Sequence, residues 1–69
     1  MEARIRIEME NAAFDDGQDG HGELARILRD LAARLDYRTG GTLTLSSTDP
    51  RRLLDVNGNT VGEIFLHKA

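Results

Sequence analysis

Residues 23–35 read Glu-Leu-Ala-Arg-Ile-Leu-Arg-Asp-Leu-Ala-Ala-Arg-Leu. Its large apolar residues stand at Leu24, Ile27, Leu28, Leu31 and Leu35. That is the i, i+3, i+4, i+7 spacing of an amphipathic helix. The sequence Thr39-Gly40-Gly41, a few residues later, is typical of a helix stop. The stretch therefore predicts one helix with a single apolar face.

An alternating segment precedes this helix. In residues 3–10, one face carries Ile5, Ile7 and Met9 and the other carries Arg4, Arg6, Glu8 and Glu10. A period of two with β-branched residues on one side is typical of a half-buried strand. The segment therefore predicts a strand with one wet face.

A hairpin is predicted after the helix. Asn57-Gly58 stands between the apolar arms 53–56 and 60–66, which is the strongest short signal for a two-residue type I′ turn. The apolar residues change parity along the second arm, so a bulge is predicted at Gly62-Glu63. Residues 42–46 also alternate, and they predict an optional short strand with Leu43 and Leu45 inward.

These elements predict an α+β fold in a single domain, residues 1–69. One amphipathic helix packs on a small, mostly antiparallel sheet of three to four strands in the order β-α-β-β, with the Asn-Gly hairpin last. Phe14 is predicted to tuck under the sheet. At the centre of the core we expect Leu28 and Leu31 against Ile5, Ile7 and Val56.

The composition excludes several classes of protein. Nine Lys and Arg against twelve Asp and Glu give a formal net charge of −3, which argues against direct nucleic-acid binding. The chain has no cysteine, so it contains no disulfide and no cysteine zinc site. No apolar run approaches the roughly 20 residues of a membrane span, and the N-terminus does not resemble a signal peptide. We therefore expect a cytoplasmic protein.

Negative charge is concentrated in one part of the chain. Between positions 8 and 23 there is no Lys or Arg, and six acidic residues occur: Glu8, Glu10, Asp15, Asp16, Asp19 and Glu23. We predict that these six residues bind a partner. Duplex DNA carries about one negative charge per 1.7 Å of axis, and spaced carboxylates can occupy a basic groove in its place.

Two other interpretations of the acidic stretch stay open. A run of charge with several glycines is often a solvated, flexible loop without a partner. Asp15, Asp16 and Asp19 are also possible calcium ligands, although they lack the ligand spacing of an EF-hand.

No arrangement typical of catalysis is present. His21 and His67 are far apart in the sequence and have no neighbouring ligands that would argue for a metal site. Asp55 and Glu63 lie in opposing arms of the predicted hairpin, where a cross-strand pair of Arg52 with Glu63 is favoured over a pair of catalytic carboxylates. We expect no enzyme activity, no metal and no cofactor.

Three segments together resemble a known group of proteins. They are residues 5–14 (IRIEMENAAF), 23–35 (ELARILRDLAARL) and 54–63 (LDVNGNTVGE), which cover most of the chain outside residues 36–52. The combination is similar to short phage and prophage proteins that include anti-CRISPR inhibitors of type I systems, among them type I-C. The resemblance implies an acidic DNA mimic that binds a Cas protein of a type I surveillance complex in the bacterial cytoplasm and blocks target DNA.

Two further functions stay open. One is a phage or mobile-element accessory protein whose acidic surface binds a different host target. The other is a structural module that forms a homodimer through an apolar edge or the outer helix face. The sequence alone leaves both the monomer and the homodimer open.

Overall fold

One helix packed on a three-stranded antiparallel sheet makes up the fold in residues 1–68, which the computed structural model describes. The elements are β1 (Glu2–Ile7), α1 (His21–Leu35), β2 (Arg51–Leu54) and β3 (Thr60–His67), with short 3₁₀ turns at Ala12–Phe14 and Tyr37–Thr39. The strand order β1-β3-β2 leaves β1 and β2 as the two edges. The predicted α+β fold is confirmed. No helix within these residues has the length and apolar character needed to cross a membrane.

The core lies between α1 and the part of the sheet formed by β2 and β3. Its buried apolar residues are Phe14, Ile27, Leu31, Leu53, Val61 and Ile64. The predicted burial of Phe14 and of Leu31 is confirmed, and Ile7 packs against the core as a partly buried residue.

Three residues of the predicted core are exposed instead. Leu28, Ile5 and Val56 have exposed fractions of 41%, 48% and 63%. The apolar stripe of α1 is wider than the surface that covers it, so Ile27 and Leu31 are buried while Leu28 lies at the margin. Val56 belongs to the hairpin loop rather than to a strand.

An irregularity in the pairing of β2 with β3 decides which residues of β3 face the core. The register shifts between Leu53 and Leu54, and Val61 is the extra residue on β3. As a result Val61 and Ile64 are both buried although they are three positions apart. The bulge predicted at Gly62-Glu63 therefore occurs one residue earlier.

The hairpin loop contains three residues rather than two. Gly58 N–H donates to the Asp55 carbonyl at 3.1 Å, and Asp55 N–H donates to the Asn59 carbonyl at 2.9 Å. Gly58 has a φ of 84°, and no other residue of this loop has a positive φ. The predicted type I′ turn is wrong, because this pattern is a type I turn followed by a left-handed glycine.

The predicted strand at residues 42–46 is not formed. Leu43 and Leu45 are partly buried against the core, so their predicted inward direction is confirmed. The segment is bonded to the sheet through the Ser46 carbonyl, which accepts a hydrogen bond from Leu66 N–H at 3.0 Å. The alternation of apolar and polar residues in this segment therefore reflects side-chain packing and not strand pairing.

Candidate protein-binding surface

The stretch without basic residues lies beside the hairpin loop. Asn11 Nδ2 donates to the Asp55 carboxylate at 2.7 Å, near the start of the stretch. At its end, Val56 N–H donates to the Glu23 carboxylate at 2.8 Å. These two bonds hold both ends of the stretch against the same loop.

We call residues 8–23 together with residues 55–59 the acidic end. Residues 53–67 contain no Lys or Arg, so the fold places a second segment without positive charge beside the first. Arginines instead line the groove between α1 and β2, at positions 34, 51 and 52. Negative charge thus dominates one end of the molecule.

Glu23 is buried in the first turn of α1, with an exposed fraction of 6%. Arg26 donates to both of its carboxylate oxygens, at 2.6 Å from Nε and 3.3 Å from Nη2. The hydrogen bond from Arg26 is the main reason that the pKa of Glu23 lies below its usual value. Arg26 also donates to the Leu54 carbonyl at 3.2 Å, so this ion pair joins the helix to the hairpin.

Asp55 is the second buried carboxylate of the acidic end, with an exposed fraction of 4%. It accepts hydrogen bonds from the backbone N–H groups of Asn57 and Asn59, both at 2.9 Å. The side-chain amides of Asn11 and Asn59 donate to its other oxygen at 2.7 and 3.2 Å. Burial opposes ionisation of Asp55, but these four bonds outweigh it, and the pKa is lowered.

Asp16 organises the loop before α1. Its Oδ1 accepts from the N–H groups of Gln18 and Gly20, at 2.9 and 3.1 Å, and its Oδ2 accepts from Glu23 N–H at 2.9 Å. Gly20, at the N-cap position, has no side chain to do this. Asp16 therefore caps the helix from the loop, and the Glu23 and Gln18 N–H groups lower its pKa.

The other four predicted residues, Glu8, Glu10, Asp15 and Asp19, are exposed. Glu8 accepts a hydrogen bond from Arg6 Nη1 at 2.6 Å, yet 71% of its side chain stays accessible. Within residues 1–68, the side chains of Glu10, Asp15 and Asp19 form no ion pair. Asp19 stands at a φ of 56°, in the left-handed region.

The six predicted residues thus divide into two groups. Asp16 and Glu23 hold the loop, the helix and the hairpin together, and the four exposed carboxylates lie on the scaffold that they help to build. Sequence reasoning missed Asp55 and Asn11 as parts of this scaffold. An Asp just before an Asn-Gly turn is a local signal for the role of Asp55, because its side chain can accept from the turn N–H groups.

The acidic end does not have the features of an incomplete ligand site. Among the described residues, no buried side-chain nitrogen or oxygen lacks a hydrogen-bond partner. No group of three His, Cys, Asp or Glu side chains in the same residues is placed to hold a metal. His21 and His67 are both exposed. The buried acids of this end are therefore satisfied by the chain itself.

The predicted cross-strand ion pair of Arg52 with Glu63 is not formed. Glu63 forms its ion pair with Arg6 instead. Arg6 Nε and Nη2 each donate to one oxygen of Glu63 at 2.9 Å, and this bidentate pair lowers the pKa of Glu63. Arg52 lies directly opposite Glu63 in the register of the sheet. Since Arg6 occupies both oxygens, the ion pair of Glu63 joins β3 to β1 and not to β2.

Two depressions of about 280 and 330 Å³ lie along the groove between α1 and β2. Both are lined by Arg34 and Arg51, and Asp30 is the one carboxylate that lines either. Among residues 1–68, no histidine lines either depression.

Comparisons of the chain with protein-family models, with curated proteins and with solved structures found no match. We therefore infer a function from the geometry of the acidic end and from the resemblance of residues 5–14, 23–35 and 54–63 to the phage and prophage proteins.

Proposed function

We propose that the protein is an anti-CRISPR inhibitor that binds a type I Cas surveillance complex in the bacterial cytoplasm and blocks target DNA binding. The acidic end supplies the binding surface, and a Cas subunit with a basic DNA-binding groove is the partner. The observation that carries the proposal is the set of exposed carboxylates Glu8, Glu10, Asp15 and Asp19 on a stretch without Lys or Arg. Inhibition of this kind needs no catalytic chemistry.

The anchoring of the loop supports this proposal. A flexible loop loses conformational entropy when it binds, and that loss weakens the complex. Here Asp16 holds three backbone N–H groups of the segment 18–23, and Asn11 and Glu23 bond the stretch to the hairpin. Asp15 and Asp19 are thus presented on backbone that is already ordered.

The distribution of charge also supports it. An extended acidic surface raises the rate of encounter with a basic groove, and the attraction weakens as salt screens it. Asp55 adds buried negative charge behind the exposed carboxylates, whereas Arg26 compensates the charge of Glu23. The electrostatic field at the acidic end therefore comes from a buried carboxylate as well as from the exposed carboxylates that would contact a partner.

A phage-plaquing assay tests the proposal. The chain is expressed in strains that carry an active type I system, including type I-C, and in isogenic strains without the system. We expect that a phage targeted by the system forms plaques again only where the chain is expressed, with no effect in the strain that lacks the system. Full CRISPR protection in every type I strain, despite detectable soluble protein, would refute the proposal. It would leave a different host target as the function of the acidic end.

A further inference from the structure

β1 presents an unpaired edge. Glu8 N–H donates to the Val61 carbonyl at 2.8 Å, which continues the β1–β3 ladder past Ile7. Backbone groups alternate in direction along a strand, so the even-numbered residues of β1 bond to β3. The odd-numbered residues Ala3, Ile5 and Ile7 point their N–H and C=O groups away from the sheet. Within residues 1–68 no other strand pairs with this edge.

α1 lies over the opposite edge of the sheet. Arg26 donates to the Leu54 carbonyl of β2, which places this flank of the helix on the β2 side. Each residue turns an α-helix by about 100°, so Leu28 stands about 200° around the helix from Arg26. The flank with Leu28 and Leu35 therefore faces the β1 side, where the exposed fractions of these two residues are 41% and 38%.

The same side of the sheet carries exposed apolar residues on β1. Ile5 is the register partner of Ile64, so both lie on the face that α1 covers. Ile64 is 2% exposed, whereas Ile5, one strand further out, is 48% exposed. The apolar layer of the molecule thus continues past the helix that covers it, up to an edge with unpaired backbone groups. Such an edge is a template for strand addition.

We propose that a second copy of this chain covers this side, with β1 paired antiparallel to β1 of the other copy. A two-fold axis relates identical strands in such a contact, and it joins two three-stranded sheets into one continuous sheet. The exposed sides of Leu28 and Leu35 then flank the new interface. This inference rests on the free edge of β1 rather than on the acidic end, although the two surfaces share Glu8.

β1 and the residue after it carry both signs of charge, so antiparallel pairing with a second copy can place opposite charges opposite each other. When Arg6 lies on the two-fold axis, Arg4 stands opposite Glu8 of the second copy and Ile5 stands opposite Ile7, and symmetry repeats both pairs. Each Arg6 is already neutralised by its bidentate pair with Glu63. The two pairs of Arg4 with Glu8 favour this register, because opposite charges directly opposite each other stabilise a sheet.

Light scattering after size-exclusion chromatography of the full chain tests this proposal. We expect a mass of twice the 7.7 kDa of one chain, in an equilibrium that shifts with concentration. Ile5→Lys should give the mass of one chain with an unchanged circular dichroism spectrum. Val56→Lys, on the exposed hairpin loop, is the matched control and should keep the double mass. A wild-type chain of single mass at every concentration would overturn the proposal, and so would an Ile5→Lys variant of double mass.

A charge exchange tests the register independently of Ile5. Arg4→Glu should raise the dissociation constant of the dimer about tenfold, because two attractive pairs become repulsive. Adding Glu8→Arg to Arg4→Glu should restore the dimer, since opposite charges face each other again. If the double variant stays as weak as Arg4→Glu, this register is wrong.

Discussion

The backbone N–H of Glu23 donates to the Asp16 carboxylate at 2.9 Å, so one acidic residue caps the helix in which the other lies. Both residues were predicted from the sequence to touch a partner. Glu23 is buried against Arg26, and Asp16 holds the loop that precedes the helix. Asp16 and Glu23 therefore stabilise the acidic end, whereas the exposed carboxylates remain available to a partner.

Removing the cap should therefore destabilise the fold more than removing its neighbour. Asp16→Ala deletes the acceptor of three backbone hydrogen bonds, and we expect a clearly lower thermal midpoint. Asp15→Ala is the matched control, because Asp15 is exposed and makes no ion pair within residues 1–68, and it should leave the midpoint nearly unchanged. Thermal unfolding followed by circular dichroism measures both. Equal midpoints would show that Asp16 does not cap the helix in solution.

The fold should tolerate truncation of a side chain at the margin of the apolar stripe of α1 better than truncation of a side chain at its centre. Leu31→Ala or Ile27→Ala should lower the free energy of unfolding by about 2–5 kcal/mol, because each residue is almost fully buried. Leu28→Ala should cost less than about 1 kcal/mol, since 41% of Leu28 is accessible in one copy. Denaturant unfolding at low protein concentration measures the difference. A Leu28 variant as unstable as the Leu31 variant would mean that the helix faces the sheet differently.

The hairpin turn depends on the backbone of Gly58. A Cβ at this position would meet no atom within 4 Å, but φ is 84°. A substitution there therefore measures backbone strain alone. Gly58→Ala should cost about 1–2 kcal/mol, and Gly58→Asn should cost less because Asn tolerates the left-handed region. An alanine variant with unchanged denaturant unfolding would contradict the loop geometry.

Stability should decline in acid because of four carboxyl groups. Asp16, Glu23, Asp55 and Glu63 all have pKa values below their ordinary values of 3.8 for Asp and 4.5 for Glu. A carboxyl with a lowered folded-state pKa contributes stability above its unfolded pKa and loses it as the pH falls through the folded value. We expect a nearly constant free energy of unfolding from about pH 7 to about pH 5 and a fall that begins near pH 4.5.

Urea titrations across this range measure that decline. Asp55→Asn should be less stable at neutral pH, because it loses a fully bonded charge, and its stability should depend less on pH between about 5 and 3. A wild-type chain that gains stability as the pH falls through this range would contradict the bonding described for the four groups.

The sequence predicts the elements well where periodicity is strong. The helical spacing of Leu24, Ile27 and Leu31 located α1, and Asn57-Gly58 located the hairpin. Residues 42–46 show the limit of the same reasoning, because an alternating segment packs in the same way whether or not a strand lies beside it. Only the structure shows that Ser46 and Leu66 share one backbone hydrogen bond and that residues 42–46 form no strand pairing.

The candidate surface was predictable in its location and not in its detail. The absence of Lys and Arg from residues 8–23 is visible in the sequence. The roles of Asp16 and Glu23 depend on bonds to a loop and to a hairpin 33 positions away, which composition does not encode. The width of the apolar stripe likewise does not tell which of its leucines the sheet leaves exposed.

Displacement of target DNA from a purified type I surveillance complex tests whether the exposed carboxylates of the acidic end block DNA binding. Two variants that lose the same charge are compared with the wild type: Asp15→Asn with Asp19→Asn at the acidic end, and Asp30→Asn with Asp49→Asn elsewhere on the surface. Asn suits position 19, where φ is 56°. We expect the acidic-end variant to inhibit DNA binding about tenfold less well than the wild type, and the control variant to inhibit as well as the wild type. Equal inhibition by both variants, or a loss confined to the control, would contradict this expectation.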